Sequence, residues 1–254
     1  MIEPRVSLVG AGPGDPELIT VKGLKALASA DVVLYDALVH PDLLNQAPTN
    51  ALKIFVGKQK GVCQFPQEEI NRLIVFYAFS HGHVVRLKGG DPFIFGRGHE
   101  ELLFAEKEGI SVTVIPGLSS ALAVPALQGV PLTRRGINDG FFVITGTTRE
   151  HQLSRDLQKA VASDATVVVL MGMHKAKEIQ SVFEQAGKSD LPVMIIQNGS
   201  MPEERVLLTS VHSMVKDIAQ EAFSSPAIIV LGDVVNCHPQ YRERLQALLH
   251  KTNA

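Results

Sequence analysis

Val6-Ser7-Leu8-Val9-Gly10-Ala11-Gly12-Pro13-Gly14-Asp15-Pro16 sets the architecture of the whole chain. Val6–Val9 is an apolar, β-branched run that reads as a buried strand. The glycines and prolines end it, and Val21–Ala28 then carries apolar residues at helical spacing. The alternation continues with strand-like runs at Val32–Tyr35, Lys53–Val56, Val84–Leu87 and Val112–Ile115, and a helical pattern over Gln67–Phe79. A second series follows: Phe141–Thr145, Thr166–Leu170, Val193–Gln197, Val206–Leu208 and Ala227–Leu231. Between the two series lies Ile115-Pro116-Gly117-Leu118-Ser119-Ser120, where Pro and Gly end a strand and Ser119 or Ser120 can cap a helix through Ala121–Leu127. The chain therefore reads as two α/β domains of similar size, residues 1–116 and 117–254, with mostly parallel sheets. In open α/β sheets ligands collect outside the carboxyl ends of the strands, so the segments leaving those ends are where function is sought.

Composition narrows the classes. Of 254 residues, 45% are hydrophobic and 20% charged, the balance of a globular protein and not of a disordered one. Lys plus Arg is 24 against 26 Asp plus Glu, so no global field steers the chain onto nucleic acid. Cys63 and Cys237 lie far apart without a CxxC, which argues against a disulfide framework or structural zinc and fits a reducing cytoplasm. No apolar run approaches the ~18–20 residues needed to cross a bilayer, and the first residues carry no secretory pattern.

The Gly10 loop has the setting of a dinucleotide fingerprint but departs from it. Asp15 stands at the sixth position, and Pro13 and Pro16 each disfavour helix at the residue before them. The helix is therefore expected to start too late for a pyrophosphate, and a turn holding another small ligand is the better reading, with a purely structural turn close behind. Asp36 closes the second strand. After the fourth strand comes Arg86-Leu87-Lys88-Gly89-Gly90-Asp91-Pro92-Phe93-Ile94-Phe95-Gly96-Arg97-Gly98-His99-Glu100-Glu101. Its glycines admit a ligand close to the backbone, Asp91 can accept hydrogen bonds, and Arg97 and Glu100 share a face if helix begins there. Lys58, Lys60, Arg86, Lys88, Arg97, Arg134 and Arg135 form a basic set near strand ends, suited to a polyanionic small molecule or simply scattered over the surface. Met171 and Gly199 sit after strands of the second half. His81-Gly82-His83 reads as a turn, not a metal site, and Cys63 has no activating partner.

These segments, in this order, resemble the uroporphyrinogen III C-methyltransferase branch of the tetrapyrrole methylase family. The motifs that carry the resemblance are Gly10 to Pro16; Leu34-Tyr35-Asp36-Ala37-Leu38-Val39; Val56-Gly57-Lys58 with Pro66 to Asn71; Arg86 to Glu101; Pro116 to Ser120; and Pro131-Leu132-Thr133-Arg134-Arg135-Gly136. His99 and Arg134 depart from it, standing where Gly and His are common. The resemblance implies S-adenosylmethionine as methyl donor, with S-adenosylhomocysteine as product, and uroporphyrinogen III as acceptor of two methyl groups to give precorrin-2. It also implies a homodimer, a cofactor cleft between the two domains, and no metal. Carried over by position, Asp36 is the expected proton acceptor and Lys58 the proton donor. Cofactor contacts are expected from Pro13, Gly89, Gly90, Asp91, Ile94, Ser119, Ser120, Met171 and Gly199, and substrate contacts from Arg97, Glu100 and Arg134. A sister precorrin methyltransferase and an NAD-dependent oxidoreductase are the rival readings.

Overall fold

The computed structural model describes residues 2–57 and 65–241, which form two compact units, the first reaching to Ser119 and the second beginning at Ser120. Each is an α/β unit around one sheet.

The first unit contains β1 (Arg5–Gly10), α1 (Val21–Leu27), β2 (Val32–Tyr35), α2 (Pro41–Leu44), β3 (Leu52–Phe55), α3 (Gln67–His81), β4 (His83–Lys88), α4 (Gly98–Lys107) and β5 (Ser111–Ile115). The strands stand in the order β3-β2-β4-β1-β5, and every ladder is parallel. Successive strand residues face opposite sides of a sheet, and here both sides are covered. Val9, Val33, Val85 and Leu87 pack with Ala26 and Leu27 of α1 and Leu43 of α2. Leu8, Leu34 and Val84 pack on the other side with Ile70, Ile74 and Ala78 of α3 and Ala105 of α4. The period of two has one unusual result: Arg86 and Lys88 fall on the same side as Val84 and are buried.

The second unit contains α5 (Ser120–Leu127), β6 (Phe141–Thr145), α6 (Asp156–Val161), β7 (Thr166–Leu170), α7 (Ala176–Gln185), β8 (Pro192–Gln197), β9 (Arg205–Ser210), α8 (Met214–Gln220) and β10 (Ala227–Leu231). Val167, Val169, Ile195 and Ile229 pack against Leu157 of α6, Ile179 and Phe183 of α7 and Met214 of α8. Phe183 is 1% exposed, so truncation to Ala would cost about 3–5 kcal/mol. Val168, Met194, Ile196 and Val230 pack on the other face with Ala121 and Val124 of α5.

The order is β6-β7-β10-β8-β9, and only β6–β7 is a parallel ladder; β7–β10, β10–β8 and β8–β9 are antiparallel. The expectation of mostly parallel sheets therefore holds for the first unit and is corrected to a mixed sheet in the second. The chain reverses between Gln197 and Arg205, where Asn198 and Ser200 adopt left-handed backbone. The return through α8 then lays β10 against both β7 and β8. A buried strand reads as the same apolar run in either direction, so pattern carries no trace of this reversal.

Candidate functional site

The carboxyl ends of β1, β2, β4 and β5 lie along one edge of the first sheet, and four loops leave from it. Three are locked together through glycine backbone. Gly12 and Gly90 exchange hydrogen bonds, Gly12 N to Gly90 O at 3.2 Å and Gly90 N to Gly12 O at 2.7 Å. A Cβ on Gly10 would lie 2.5 Å from Gly117 Cα and 2.7 Å from Gly90 O, against backbone that cannot swing aside. Gly90 itself has φ +67° and is open on its other side, where a Cβ would meet nothing nearer than Ser119 Cα at 4.0 Å.

Asp91 ties the loops further. Its Oδ1 accepts the Phe93 N–H at 2.8 Å and its Oδ2 the Gly117 N–H at 3.1 Å. Ile94 follows, exposed, between Phe93 and Phe95, and Phe95 and Arg97 both hold left-handed backbone. Non-glycine residues in that region are strained, and such strain concentrates at functional loops. Pro13 is half-buried in the first loop, and Ser119 is 7% exposed in the last. Asp36, at the end of β2, accepts the Leu38 N–H at 3.0 Å and the Gly89 N–H at 3.3 Å.

The structure thus brings Pro13, Asp36, Gly89, Gly90, Asp91, Ile94 and Ser119 to one edge. Arg97 and Glu100 do share a face at the start of α4, where they form a two-pronged ion pair at 2.8 and 2.6 Å, each about half exposed. The bond to Glu100 raises the hold of the Arg97 guanidinium on its proton. Lys58 and Cys63 lie outside the described residues.

Beneath this edge is a buried charge cluster that sequence reasoning missed. Arg86 Nε donates to Glu101 Oε1 at 3.1 Å, and Lys88 Nζ reaches the same oxygen at 3.1 Å. Gln67 Nε2 donates to it as well, at 3.1 Å. Glu101 Oε2 lies 3.1 Å from Lys88 Nζ as an ion-pair partner but accepts no hydrogen bond among the described residues. Burial holds the Lys88 ammonium below the ordinary lysine value, with Arg86 adding to that shift and Glu101 opposing it. Arg86 and Lys88 are therefore occupied inside the unit and do not line an anion site as the basic set suggested. The available signal was the pair of charges at alternate positions of a central parallel strand, which demand a buried counter-ion.

In the second unit β6, β7 and β8 end at a common edge. Met171 leaves β7 there, exposed and with φ 55°, and its carbonyl accepts the Thr147 hydroxyl at 3.3 Å. Gly199 leaves β8, where a Cβ would lie 2.5 Å from Val124 Cγ1 of α5. Its loop is clamped by Glu204, whose Oε2 accepts the Ser200 N–H at 2.7 Å and whose Oε1 accepts from Gln128 at 2.5 Å. Ser120 is the first residue of α5. Arg134 is not brought to that edge. Its N–H donates to Asn138, whose side chain donates to Thr166 at the opposite end of β7, and its guanidinium donates to Cys237 Sγ at 3.2 Å.

The local geometry also decides two sequence readings. α1 starts only at Val21, behind a 3-10 turn at Pro16–Leu18 whose Glu17 N–H is taken by the Asp15 carboxylate at 2.8 Å. No helix N-terminus opens directly from the glycine loop, which removes the pyrophosphate seat of the oxidoreductase reading. Gly82, with φ 109°, makes the turn from α3 into β4, and His83 is buried within hydrogen bonds of Ser7 and Ser29. Among the described residues there is no group of three or more His, Cys, Asp or Glu placed to hold a metal ion, and no helix long and apolar enough to cross a membrane.

Comparison with known proteins agrees with this geometry. The family model described as Tetrapyrrole (Corrin/Porphyrin) Methylases matches residues 5–215. The chain is 45% identical over 234 residues to a Uroporphyrinogen-III C-methyltransferase of Methanocaldococcus jannaschii, covering 91% of this chain and 97% of that one. It is 44% identical over 231 residues to Siroheme synthase 2 of Pectobacterium atrosepticum, of which it spans about half the length (50%). The crystal structure of a Thermus thermophilus Uroporphyrin-III C-methyl transferase complexed with S-adenyl homocysteine superposes with a TM-score of 0.78 at 39% identity, covering 91% of this chain and 93% of that one. By sequence and by fold, the chain belongs to the tetrapyrrole methylase family.

Proposed function

We propose that this chain is an S-adenosylmethionine-dependent C-methyltransferase that adds two methyl groups in turn to uroporphyrinogen III, giving precorrin-2 for sirohaem or cobalamin formation. The observation that carries the reading is the first unit's strand-end edge, with Asp36 fixed on the Gly89 N–H. That edge occurs in a chain similar over nearly its whole length to a protein named for this reaction.

The edge fits such a cofactor. The open side of Gly90 is a cradle that a side chain would fill. Leu38, Ile94 and Leu118 expose apolar side chains on the same loops, and Asp91 and Ser119 supply polar groups. Pro13, Gly89, Gly90, Asp91, Ile94 and Ser119 are the proposed cofactor contacts here. Ser120, Met171 and Gly199 enter the proposal from the second unit, supported by likeness to the family.

S-adenosylmethionine, when bound, supplies an already activated methyl group. The residues of the chain then have two tasks, placement and proton handling. Fixed placement of reacting groups supplies up to ~7–11 kcal/mol of a barrier in favourable cases. A pyrrole N–H must eventually be lost, and Asp36 is the proposed acceptor of that proton or the stabiliser of the positive charge that precedes its loss. Lys58 is the proposed proton donor. Arg97, oriented by Glu100, is the proposed partner of a carboxylate on this polycarboxylate substrate. Arg134 lies toward the other end of its own sheet, and its substrate contact is proposed on likeness to the family alone. A homodimer is proposed for the solution state, supported by the exposed Phe76 and Phe79 of α3 and Leu103 of α4.

The test is an anaerobic incubation with S-adenosylmethionine and uroporphyrinogen III, followed by mass spectrometry of the tetrapyrrole. Two added methyl groups support the proposal. No transfer, from folded protein that binds S-adenosylhomocysteine, overturns it in favour of a sister enzyme acting on a later precorrin.

A further inference from the structure

The buried cluster under the first sheet's edge calls for an explanation that stability does not provide. Arg86, Lys88 and Glu101 are 3%, 4% and 1% exposed. Taking such charges out of water is costly, and well-packed apolar residues of similar volume are often at least as stable. The cluster reaches the functional edge through one group. Arg86 extends from β4 with its Nε on Glu101 of α4, its Nη1 on the Leu87 carbonyl at 3.0 Å, and its Nη2 3.9 Å from Asp36 Oδ2. Leu34 is the register partner of Arg86 in the β2–β4 ladder, and Asp36 lies two residues further on, at the end of β2. The planar guanidinium thus spans from α4 to the end of β2, a reach and fork that lysine does not reproduce. With Asp36 ionised the four side chains carry two positive and two negative charges. The buried cations are balanced only when the carboxylate stays in place.

We infer that Arg86 is a positioning residue for Asp36, with Glu101 fixing the guanidinium from below and Lys88 in turn holding Glu101. The inference rests on the proposed role of Asp36. Arg86 is itself buried, 3% exposed. It restrains the Asp36 carboxylate together with the Gly89 and Leu38 N–H groups, so that the carboxylate meets the substrate in one orientation.

The experiment is a kinetic double-mutant cycle of Arg86→Lys and Asp36→Asn on the whole chain, with S-adenosylmethionine and uroporphyrinogen III under anaerobic conditions. Arg86→Lys keeps the buried charge and loses the fork. It is expected to lower kcat roughly tenfold, with both KM values within about twofold of the parent, and to add no further loss in the Asp36→Asn background. A general loosening of the fold would instead multiply through both backgrounds. Wild-type kcat in Arg86→Lys, or losses that multiply in the double variant, overturn the inference while leaving Asp36 its role. Full activity of Asp36→Asn alone overturns the proposed role of Asp36, and the inference with it. Should Arg86→Lys fail to fold, Glu101→Gln replaces it in the same cycle. It keeps the shape and an acceptor for Arg86 but removes the charge that anchors it, and the same two outcomes decide.

Discussion

Asp91 and Gly117, 26 residues apart in sequence, are joined by a hydrogen bond that passes over the end of β1. The Asp91 carboxylate takes the first free N–H region after β5 and, with its other oxygen, the N–H of Phe93. Asp91→Ala leaves both donors without that partner. Hydrogen bonds to charged groups contribute about 1.5–3 kcal/mol, so unfolding in urea is expected to show a loss of that order. S-adenosylhomocysteine affinity, read by calorimetry, is expected to fall at least about tenfold, because each 1.4 kcal/mol is tenfold in an equilibrium. A stability loss with unchanged affinity would separate Asp91 from the cofactor.

Gly117→Ala tests the glycine packing directly. Its new Cβ would press on the Gly90 carbonyl and lie 2.7 Å from Gly10 Cα, backbone held by the bridge between Gly12 and Gly90 and by the β1–β4 ladder. Overpacking of this kind costs typically about 1–3 kcal/mol. Denaturant midpoints should therefore drop by more than for Gly140→Ala, since neither glycine has positive φ and a Cβ on Gly140 would meet nothing within 4 Å. Equal losses at the two positions would show that crowding contributes nothing.

His83 gives the stability a pH dependence. Its ring is 4% exposed, with Nδ1 2.9 Å from the Ser29 carbonyl and Nε2 2.9 Å from the Ser7 hydroxyl. A carbonyl can only accept, so Nδ1 carries the proton and neutral Nε2 accepts from Ser7. Burial lowers the His83 pKa below its ordinary value of 6.5, Arg5 assists, and the Ser29 bond and Asp31 oppose. The unfolded chain then binds a proton that the folded chain does not. The contribution is complete above about pH 6.5 and is lost as pH falls from there toward the lowered folded value, at up to about 1.4 kcal/mol per unit. Urea midpoints should fall with falling pH across that window in the parent, and His83→Gln should remove that part of the pH dependence.

Arg97→Ala removes a guanidinium that is about half exposed and paired with a neighbouring carboxylate. Exposed ion pairs contribute only about 0–1 kcal/mol, so the melting temperature should hardly change. Under the proposed function the KM for uroporphyrinogen III should rise about tenfold or more, with that for S-adenosylmethionine unaltered, since a charged hydrogen bond to a carboxylate is lost. Unchanged tetrapyrrole affinity would sink the assignment.

Much of this was legible in the residues. Apolar β-branched runs placed each of the ten strands, most plainly central ones such as β1, β7 and β10, whose residues are buried on both faces. Pro13, Pro16 and Asp15 foretold the late start of α1. Loop residues Asp36 and Gly89 were singled out separately, and folding joins them because β2 and β4 are neighbours. Strand direction in the second unit was not legible, since β10 packs equally well either way up. The partner of Arg86 was not legible either. Glu101 ends a run of charged and glycine residues that reads as surface, and only the docking of α4 on the sheet turns it inward.

The junction of Gly10, Gly90 and Gly117 has one more consequence. Where three main chains meet without side chains, the floor offered to a ligand is made of peptide planes already fixed by ladders and bridges. Such a floor has no rotamers to freeze. The ordering cost that side chains impose on association, about 0.5–1.5 kcal/mol for each one immobilised, is absent there from the start. A ligand settling on this floor loses its own freedom but takes little from the protein.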